Sequence, residues 1–160
     1  MYLIDSSAWI EYLRPKGSQK VKEKVKGILQ REGAVCCGII VVEILRGAKN
    51  EKDFQSLNDS LLSLPQIPID DSVVERASQW GFLLDRKGKF VSTTDLVIGS
   101  AAYKKARLIH MDDDFELIST SLPSISWLRS YNSEVAMTRT CSTIARARYP
   151  DRVVCPKSLG

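Results

Sequence analysis

Long apolar runs, zinc-spaced cysteines and a strong excess of one charge are all missing from this chain, and each absence narrows what it can be. No stretch approaches the roughly 20 apolar residues of a bilayer-spanning helix. Met1-Tyr2-Leu3-Ile4-Asp5 opens with neither a basic leader nor an apolar segment of signal-peptide length, so the expected location is the cytoplasm. Cysteine is confined to an adjacent pair, Cys36-Cys37, inside an apolar segment and two late residues, Cys141 and Cys155. None has the spacing of a tetrahedral zinc site, and without an export signal a disulfide is not expected; buried or bystander thiols are. Histidine occurs once, as His110, at the end of an apolar run, where a structural role is the expectation. The net charge of +4 is also unevenly placed. Residues 131 to 160 hold Arg139, Arg146, Arg148, Arg152 and Lys157 against Glu134 and Asp151, which is +3 and leaves +1 for the first 130. A near-neutral body is not a bulk electrostatic binder of polyanions, so any grip on phosphate must be local and helped by metal.

What is present suffices for one core: 160 residues, 44% of them hydrophobic. Tyr2-Leu3-Ile4 reads as a strand, and Asp5-Ser6-Ser7 as a cap for a helix through Leu13 that Pro15 and Gly17 end. Val21, Val25, Ile28 and Leu29 recur at helical spacing among lysines, predicting one amphipathic helix from Gln19 to Arg31, closed by Gly33. Ala34-Val35-Cys36-Cys37 is a second buried strand, followed by a helix with Ile40, Val41, Ile44 and Leu45 on one stripe and Glu43 within it. A helix from about Glu51 to Leu62 gives way at Pro65 and Pro68 to an extended passage. Asp70-Asp71-Ser72 caps a helix with an apolar face of Val73, Val74, Ala77, Trp80 and Leu84, a face larger than a small core needs. After the loop Arg86-Lys87-Gly88-Lys89, Ser92-Thr93-Thr94-Asp95 introduces the small-residue helix Leu96 to Ala102. Arg107 to Met111 is a strand, Asp112-Asp113-Asp114 a turn, Phe115 to Ile118 a short helix, and Ile125 to Leu128 a last strand. Alternating short strands and helices predict an α/β layer sandwich with a mostly parallel sheet. The pattern fails after Tyr131, so a domain over residues 1–130 and a basic appendage over 131–160 are expected.

Acidic residues cluster where such a fold gathers its ligands, at the carboxyl ends of the strands. Asp5 follows the first strand, the Asp112 run follows a late one, and Glu43 and Asp95 are placed in the first turns of helices starting at the same edge. Asp5 and Asp95 also suit helix caps, and the Asp112 run a solvated turn. Glu43 interrupts an apolar sequence, where a carboxylate is costly unless paired, metal-bound or at the rim. Together the four suit a hard divalent cation, which takes carboxylate oxygens and waters, and two such cations about 4 Å apart can activate water against a phosphodiester.

Four segments carry a family resemblance. Tyr2-Leu3-Ile4-Asp5-Ser6-Ser7-Ala8-Trp9-Ile10, Val42-Glu43-Ile44-Leu45-Arg46-Gly47-Ala48, Thr94-Asp95-Leu96-Val97-Ile98-Gly99-Ser100-Ala101-Ala102 and His110-Met111-Asp112-Asp113-Asp114-Phe115 resemble, in order, the motifs of the PIN-domain family, and more narrowly the VapC toxins of toxin–antitoxin pairs. The likeness covers about residues 1 to 129. It implies a PIN-like three-layer sandwich, a Mg²⁺- or Mn²⁺-dependent endoribonuclease acting on RNA, a homodimer, and a partner antitoxin that inserts a segment into the active-site groove. It implies Asp5, Glu43 and Asp95 as the first three acids and Asp112 as the fourth, with Asp114 as the acid before Phe115. Ser6, Ser7 and Thr94 match the family's small hydroxyl residues beside the metal. Within that reading Asp5 and Asp95 are the principal ligands, Glu43 and Asp112 complete the pocket through waters or a second ion, and activated water is the nucleophile. Arg14 and Arg46 are candidates to grip phosphate or to pair with the acids.

Rival classes fit less well. A phosphohydrolase with an aspartyl nucleophile wants Asp-x-Asp after the first strand, and Ser7 stands where the second Asp belongs. A receiver domain wants an acidic pair near that strand, which is lacking. A catalytically silent PIN-like module that binds RNA or protein is the alternative from another class, and a metal titration separates it from an enzyme.

Overall fold

The computed structural model describes residues 1 to 122, and the strand expected at Ile125 to Leu128 and the 131–160 appendage lie outside them. Three parallel strands in the order β2-β1-β3 form the centre: β1 (Tyr2–Ile4), β2 (Ala34–Val35) and β3 (Arg107–Ile109). Leu3 and Ile4 are consecutive, so they point to opposite faces, and both are fully buried. Both faces of the sheet are therefore covered, as a parallel sheet requires. This is the expected α/β sandwich. The strands are short, and the chain's remaining backbone bonds are made mostly within helices α1 (Ser6–Leu13), α2 (Gln19–Gly27), α3 (Gly38–Leu45), α4 (Glu51–Leu62), α5 (Asp71–Asp85), α6 (Thr93–Ala102) and α7 (Asp113–Ser121).

Packing follows the small residues. Helix α6 is lined by buried Gly99, Ser100, Ala101 and Ala102, which lets it lie against α5, α7 and β3. A methyl on Gly99 would already touch the Trp80 and Phe115 rings at 3.5 and 3.7 Å. Helix α3 touches α1, α4 and α6 and so joins the α1–α2 pair to the α5–α6–α7 group. Gly17 turns the corner between α1 and α2 so tightly that a Cβ there would stand 1.8 Å from the Glu11 carbonyl oxygen. Glu11 also accepts the Ser18 amide at 2.9 Å, fixing that corner.

Several sequence expectations are corrected. The helix from Gln19 to Arg31 is two pieces: α2 ends at Gly27, and Ile28–Glu32 forms a π-helical turn that delivers the chain to Gly33, whose φ of 74° favours glycine. Only Ala34 and Val35 of the second strand pair with β1; Cys36 bridges instead to Gln66 in the extended passage, and Cys37 caps α3. Val74 is half-exposed at 51%, whereas Val73, Ala77 and Trp80 are buried against the core and are not available for a subunit contact. Asp112-Asp113-Asp114 is not a free turn: Asp112 is the N-cap of α7, and Asp113 and Asp114 lie in its first turn. Among the described residues no helix is long and apolar enough to cross a membrane.

Candidate metal centre

Parallel strands place all three of their carboxyl ends on one edge, and in the order β2-β1-β3 the chain passes from the central strand to β2 on one side and then back across to β3 on the other. The crevice at such a reversal is where ligands gather in open sheets. Asp5 leaves β1 there, tied to β3 by its amide, which donates to the Ile109 carbonyl at 2.8 Å. Its two carboxylate oxygens have different fates. Oδ2 caps α1, accepting the Ser7 amide at 2.9 Å and the Ser7 hydroxyl at 2.5 Å. Oδ1 is buried with no hydrogen-bond partner. The cap and the ligand readings of Asp5 are thus compatible, one on each oxygen. Burial, followed by repulsion from Glu43 and against the Ser7 hydrogen bonds, pushes its pKa up to about 6.

Asp95 comes from the first turn of α6. The N-cap is Ser92, whose Oγ accepts the Asp95 amide at 3.1 Å while its hydroxyl donates to Asp95 Oδ2 at 2.5 Å, so one hydroxyl both caps the helix and holds the carboxylate. Ser92 Oγ is also 2.9 Å from the Thr94 hydroxyl. Burial raises the Asp95 pKa to about 7 against the Ser92 bond, with Asp5, Asp112 and Asp114 adding repulsion. From α7, Asp112 Oδ1 caps the helix on the Asp114 amide at 3.0 Å, and Asp114 Oδ2 faces the Ser92 amide at 3.4 Å. Asp113 is exposed and belongs to no such contact.

Glu43 is reached differently from the expectation. It is the sixth residue of the eight in α3, not in the first turn, because α3 already starts at Gly38, with only Cys36 and Cys37 between it and the end of β2. It still arrives at Asp5, on which its charge acts, and its Oε2 is buried without a partner. The geometry therefore brings Asp5, Glu43, Asp95, Asp112 and Asp114 to one edge, with Asp5 electrostatically linked to both Glu43 and Asp95.

This donor set fits a hard divalent cation: all oxygen, several charges, and two buried carboxylate oxygens that nothing in the protein satisfies. Among the described residues no three acidic, histidine or cysteine side chains close on one point tightly enough to enclose an ion. Mg²⁺ does not require that, since it keeps several waters and binds through one or two carboxylates.

The supporting residues divide clearly. Ser7 joins Asp5 to the Met111 amide, which donates to Ser7 Oγ at 2.9 Å, so its hydroxyl is wholly engaged. Ser6 stabilises the Asp5 carboxylate through its amide. Arg14 pairs with Glu11 at 3.4 Å and Arg46 is exposed at the end of α3; among the described residues neither is ion-paired with the acidic cluster. His110 is buried and packed on Phe115, with its Nδ1 bonded to the Asp112 carbonyl at 2.9 Å and its pKa lowered to about 4 by burial. Cys36 and Cys37 are buried free thiols with raised pKa values, Cys36 to about 12, and so are inert. Ser92 is the residue that sequence reasoning passed over. Its signal was the spacing Ser-x-x-Asp before an apolar helix, legible as a cap but not as a support for a ligand.

Known proteins agree with this architecture. The PIN domain family matches residues 2–120. Ribonuclease VapC11 of Mycobacterium tuberculosis is 36% identical over 134 residues, covering 79% of this chain and 99% of the relative, and Ribonuclease VapC18 of the same species is 26% identical over 124 residues, covering 74% and 88%. Among solved structures, FitAcB from Neisseria gonorrhoeae superposes with a TM-score of 0.62 at 23% identity, over 74% of this chain and 93% of that one. VapBC2 from Rickettsia felis, bound to a DNA fragment from its promoter, gives 0.60 at 20%, over 73% and 92%. With a family match across most of its length and a relative of that identity, this chain belongs to the PIN-domain family, in its VapC ribonuclease branch.

Proposed function

We propose that this protein is a divalent-metal-dependent endoribonuclease, the toxin of a toxin–antitoxin pair, acting in the cytoplasm and assembling as a homodimer. VapC ribonucleases of the PIN family generally depend on divalent metal; here the ion is Mg²⁺ or Mn²⁺. Asp5 and Asp95 are its principal ligands, and Glu43, Asp112 and Asp114 complete the pocket through waters. The observation that carries this reading is the pair of buried, unpartnered oxygens, Asp5 Oδ1 and Glu43 Oε2, in a cluster whose pKa values are raised by burial and mutual repulsion. Buried, unpartnered carboxylates with raised pKa values cluster at functional sites, where a bound charge neutralises them.

In this reading the nucleophile is water activated by the metal. The Ser7 hydroxyl donates to Asp5 and accepts from Met111, the Ser92 hydroxyl donates to Asp95, and His110 is neutral, buried and tied to a backbone carbonyl. These bonds suit the three side chains to supporting the carboxylates and the backbone around the site. When bound, the cation supplies a lowered pKa for water and neutralisation of charge on the phosphate oxygens. The chain's own part is to hold the carboxylates apart and oriented: Ser7 fixes Asp5, Ser92 fixes Asp95, and the Asp112 cap fixes the start of α7. Support for a protein partner comes from the family, whose solved members include VapBC complexes.

The test is cleavage of end-labelled single-stranded RNA by the purified chain with Mg²⁺ or Mn²⁺. Chelation should abolish it, and re-addition of metal restore it. Cleavage that survives exhaustive chelation, or that yields 2′,3′-cyclic phosphate ends from attack by the RNA's own hydroxyl, sinks the metal-and-water reading.

A further inference from the structure

Phe90 is 78% exposed, more than any other large hydrophobic side chain among the described residues. It ends the run Arg86-Lys87-Gly88-Lys89-Phe90, which connects α5 to the cap of α6. A single exposed apolar residue ordinarily needs no explanation. This one differs in how it is held and what it stands beside. Lys87 Nζ donates to the Ser121 carbonyl at 2.7 Å and Lys89 Nζ to the Ser121 hydroxyl at 2.9 Å, pinning one end of the segment to the last turn of α7. The other end is Ser92, bonded to Asp95 and facing Asp114 in the first turn of α7. The strap therefore runs the length of α7 and is fixed at both ends. Val91 packs against the core while Phe90 is left in water, the alternation of an extended chain.

Two residues span at most about 7 Å, so the Phe90 backbone lies within that distance of Ser92 and next to the acidic edge. An acidic edge repels phosphate until a cation sits in it, so a polyanion must gain affinity from its surroundings. On this side the nearest part of the strap is a bare aromatic ring, and the two lysine ammonium groups follow toward the other end of α7. Arg86 is already stacked on Phe82, its guanidinium carbon 4.4 Å from the ring centroid. Aromatic rings on a positively charged surface bind single-stranded nucleic acid by stacking on unpaired bases, with little preference for sequence.

We propose that Phe90 is a substrate-binding residue: it stacks on an unpaired base of the RNA near the acidic edge, with Lys87 and Lys89, toward the other end of α7, supplying positive potential to the backbone further along the strand. This rests on the ribonuclease reading and narrows its substrate to RNA whose strand is unpaired next to the cut.

The experiment uses the full-length protein carrying Asp95→Asn, so that RNA is bound but not cut, and a fluorescently labelled single-stranded oligoribonucleotide at fixed metal over a series of salt concentrations. Phe90→Ala should weaken binding by about 5- to 100-fold with an unchanged slope against salt, since the ring carries no charge to pair with phosphate, and Phe90→Trp should restore it with indole fluorescence quenched by RNA. Thermal unfolding of Phe90→Ala should match its parent, because the ring stands in water and takes no part in the core. Binding as tight as the parent's, an equal loss on duplex and single strand, or a loss confined to neutralisation by a partner protein each overturns the proposal. If the chain with Phe90 intact neither binds nor cleaves RNA, the ribonuclease reading falls with it. A chain that cleaves RNA yet is indifferent to Phe90→Ala overturns the stacking role alone.

Discussion

At the scale of single residues the acidic edge is in tension with the fold that carries it. Asp5 and Asp95 have folded-state pKa values of about 6 and 7 against 3.8 for an unperturbed carboxyl, with burial as the largest cause. The native state therefore binds more protons than the unfolded chain between those limits, and stability must fall as pH rises through that window. Melting of the metal-free protein should show a lower midpoint at pH 8 than at pH 5, and Asp95→Asn should shrink the difference while raising the midpoint at pH 8 by a few degrees. Each 1 kcal/mol gained moves the midpoint of a chain this size by roughly 2–4 °C. The same variants should lose cleavage altogether. Asn caps a helix about as well as Asp, so Asp5→Asn should keep α1 while removing the ligand charge. Full activity in either variant with metal in excess would end the assignment. Because cation and proton compete for the same oxygens, metal affinity and cleavage should climb as pH rises through about 6 to 7 and level off above it. A flat profile across pH 5 to 8, read by metal titration at each pH, would contradict the buried carboxylates.

Elements, more than residues, decide what the sequence discloses. Asp5, Asp95 and the Asp112 run are legible because each sits where an apolar run meets a polar cluster, at a strand end or a helix start. Glu43 is legible by its cost inside an apolar stretch, yet its position in α3 is not, since helix α3 begins at Gly38 and only the three-dimensional path returns its sixth residue to Asp5. The π-helical turn at Ile28–Glu32 has no periodicity distinct from the helix before it. Val73 and Val74 are neighbours on the rim of one stripe, and which of them is buried depends on how α5 is rotated against α6, a property of packing. Ser92 shows the same limit for the site: the cap and its hydroxyl bond to Asp95 are local features, whereas the approach of Asp95 to Asp5, Asp112 and Asp114 is a tertiary consequence of where α6 is placed. Ser92→Ala should therefore have two separable effects. Loss of the cap costs about 1 kcal/mol, lowering the melting midpoint by a few degrees. Loss of the donor on Asp95 removes a bond that lowers its pKa, so the rise of activity with pH should move to higher pH. Ser92→Thr should recover both; a variant that loses stability with an unmoved pH profile would reduce Ser92 to a cap.

For the molecule as a whole, the question is how much chain the site needs. Among the described residues the buried core runs from Leu3 to Leu122, and every acid of the cluster, both hydroxyl supports and the Phe90 strap fall inside those limits. The PIN family match ends at residue 120. Deleting residues 131 to 160 should accordingly leave metal-dependent cleavage of short RNA largely intact. The deleted segment carries +3 of the chain's +4 charge, five basic residues against two acidic ones, so its contribution is expected in affinity. If several of those arginines meet phosphate, truncation should weaken binding and flatten the dependence of log affinity on log salt, by up to nearly one unit of slope for each phosphate no longer neutralised. The chemical step should be unchanged. Single-turnover cleavage at saturating RNA, measured beside a binding curve at three ionic strengths, separates the two: a slope reduced with an intact rate assigns the segment to RNA affinity. A collapsed rate in a truncated protein that still melts cooperatively would mean that residues beyond 130 complete the active site, and the boundary of the nuclease domain would have to move.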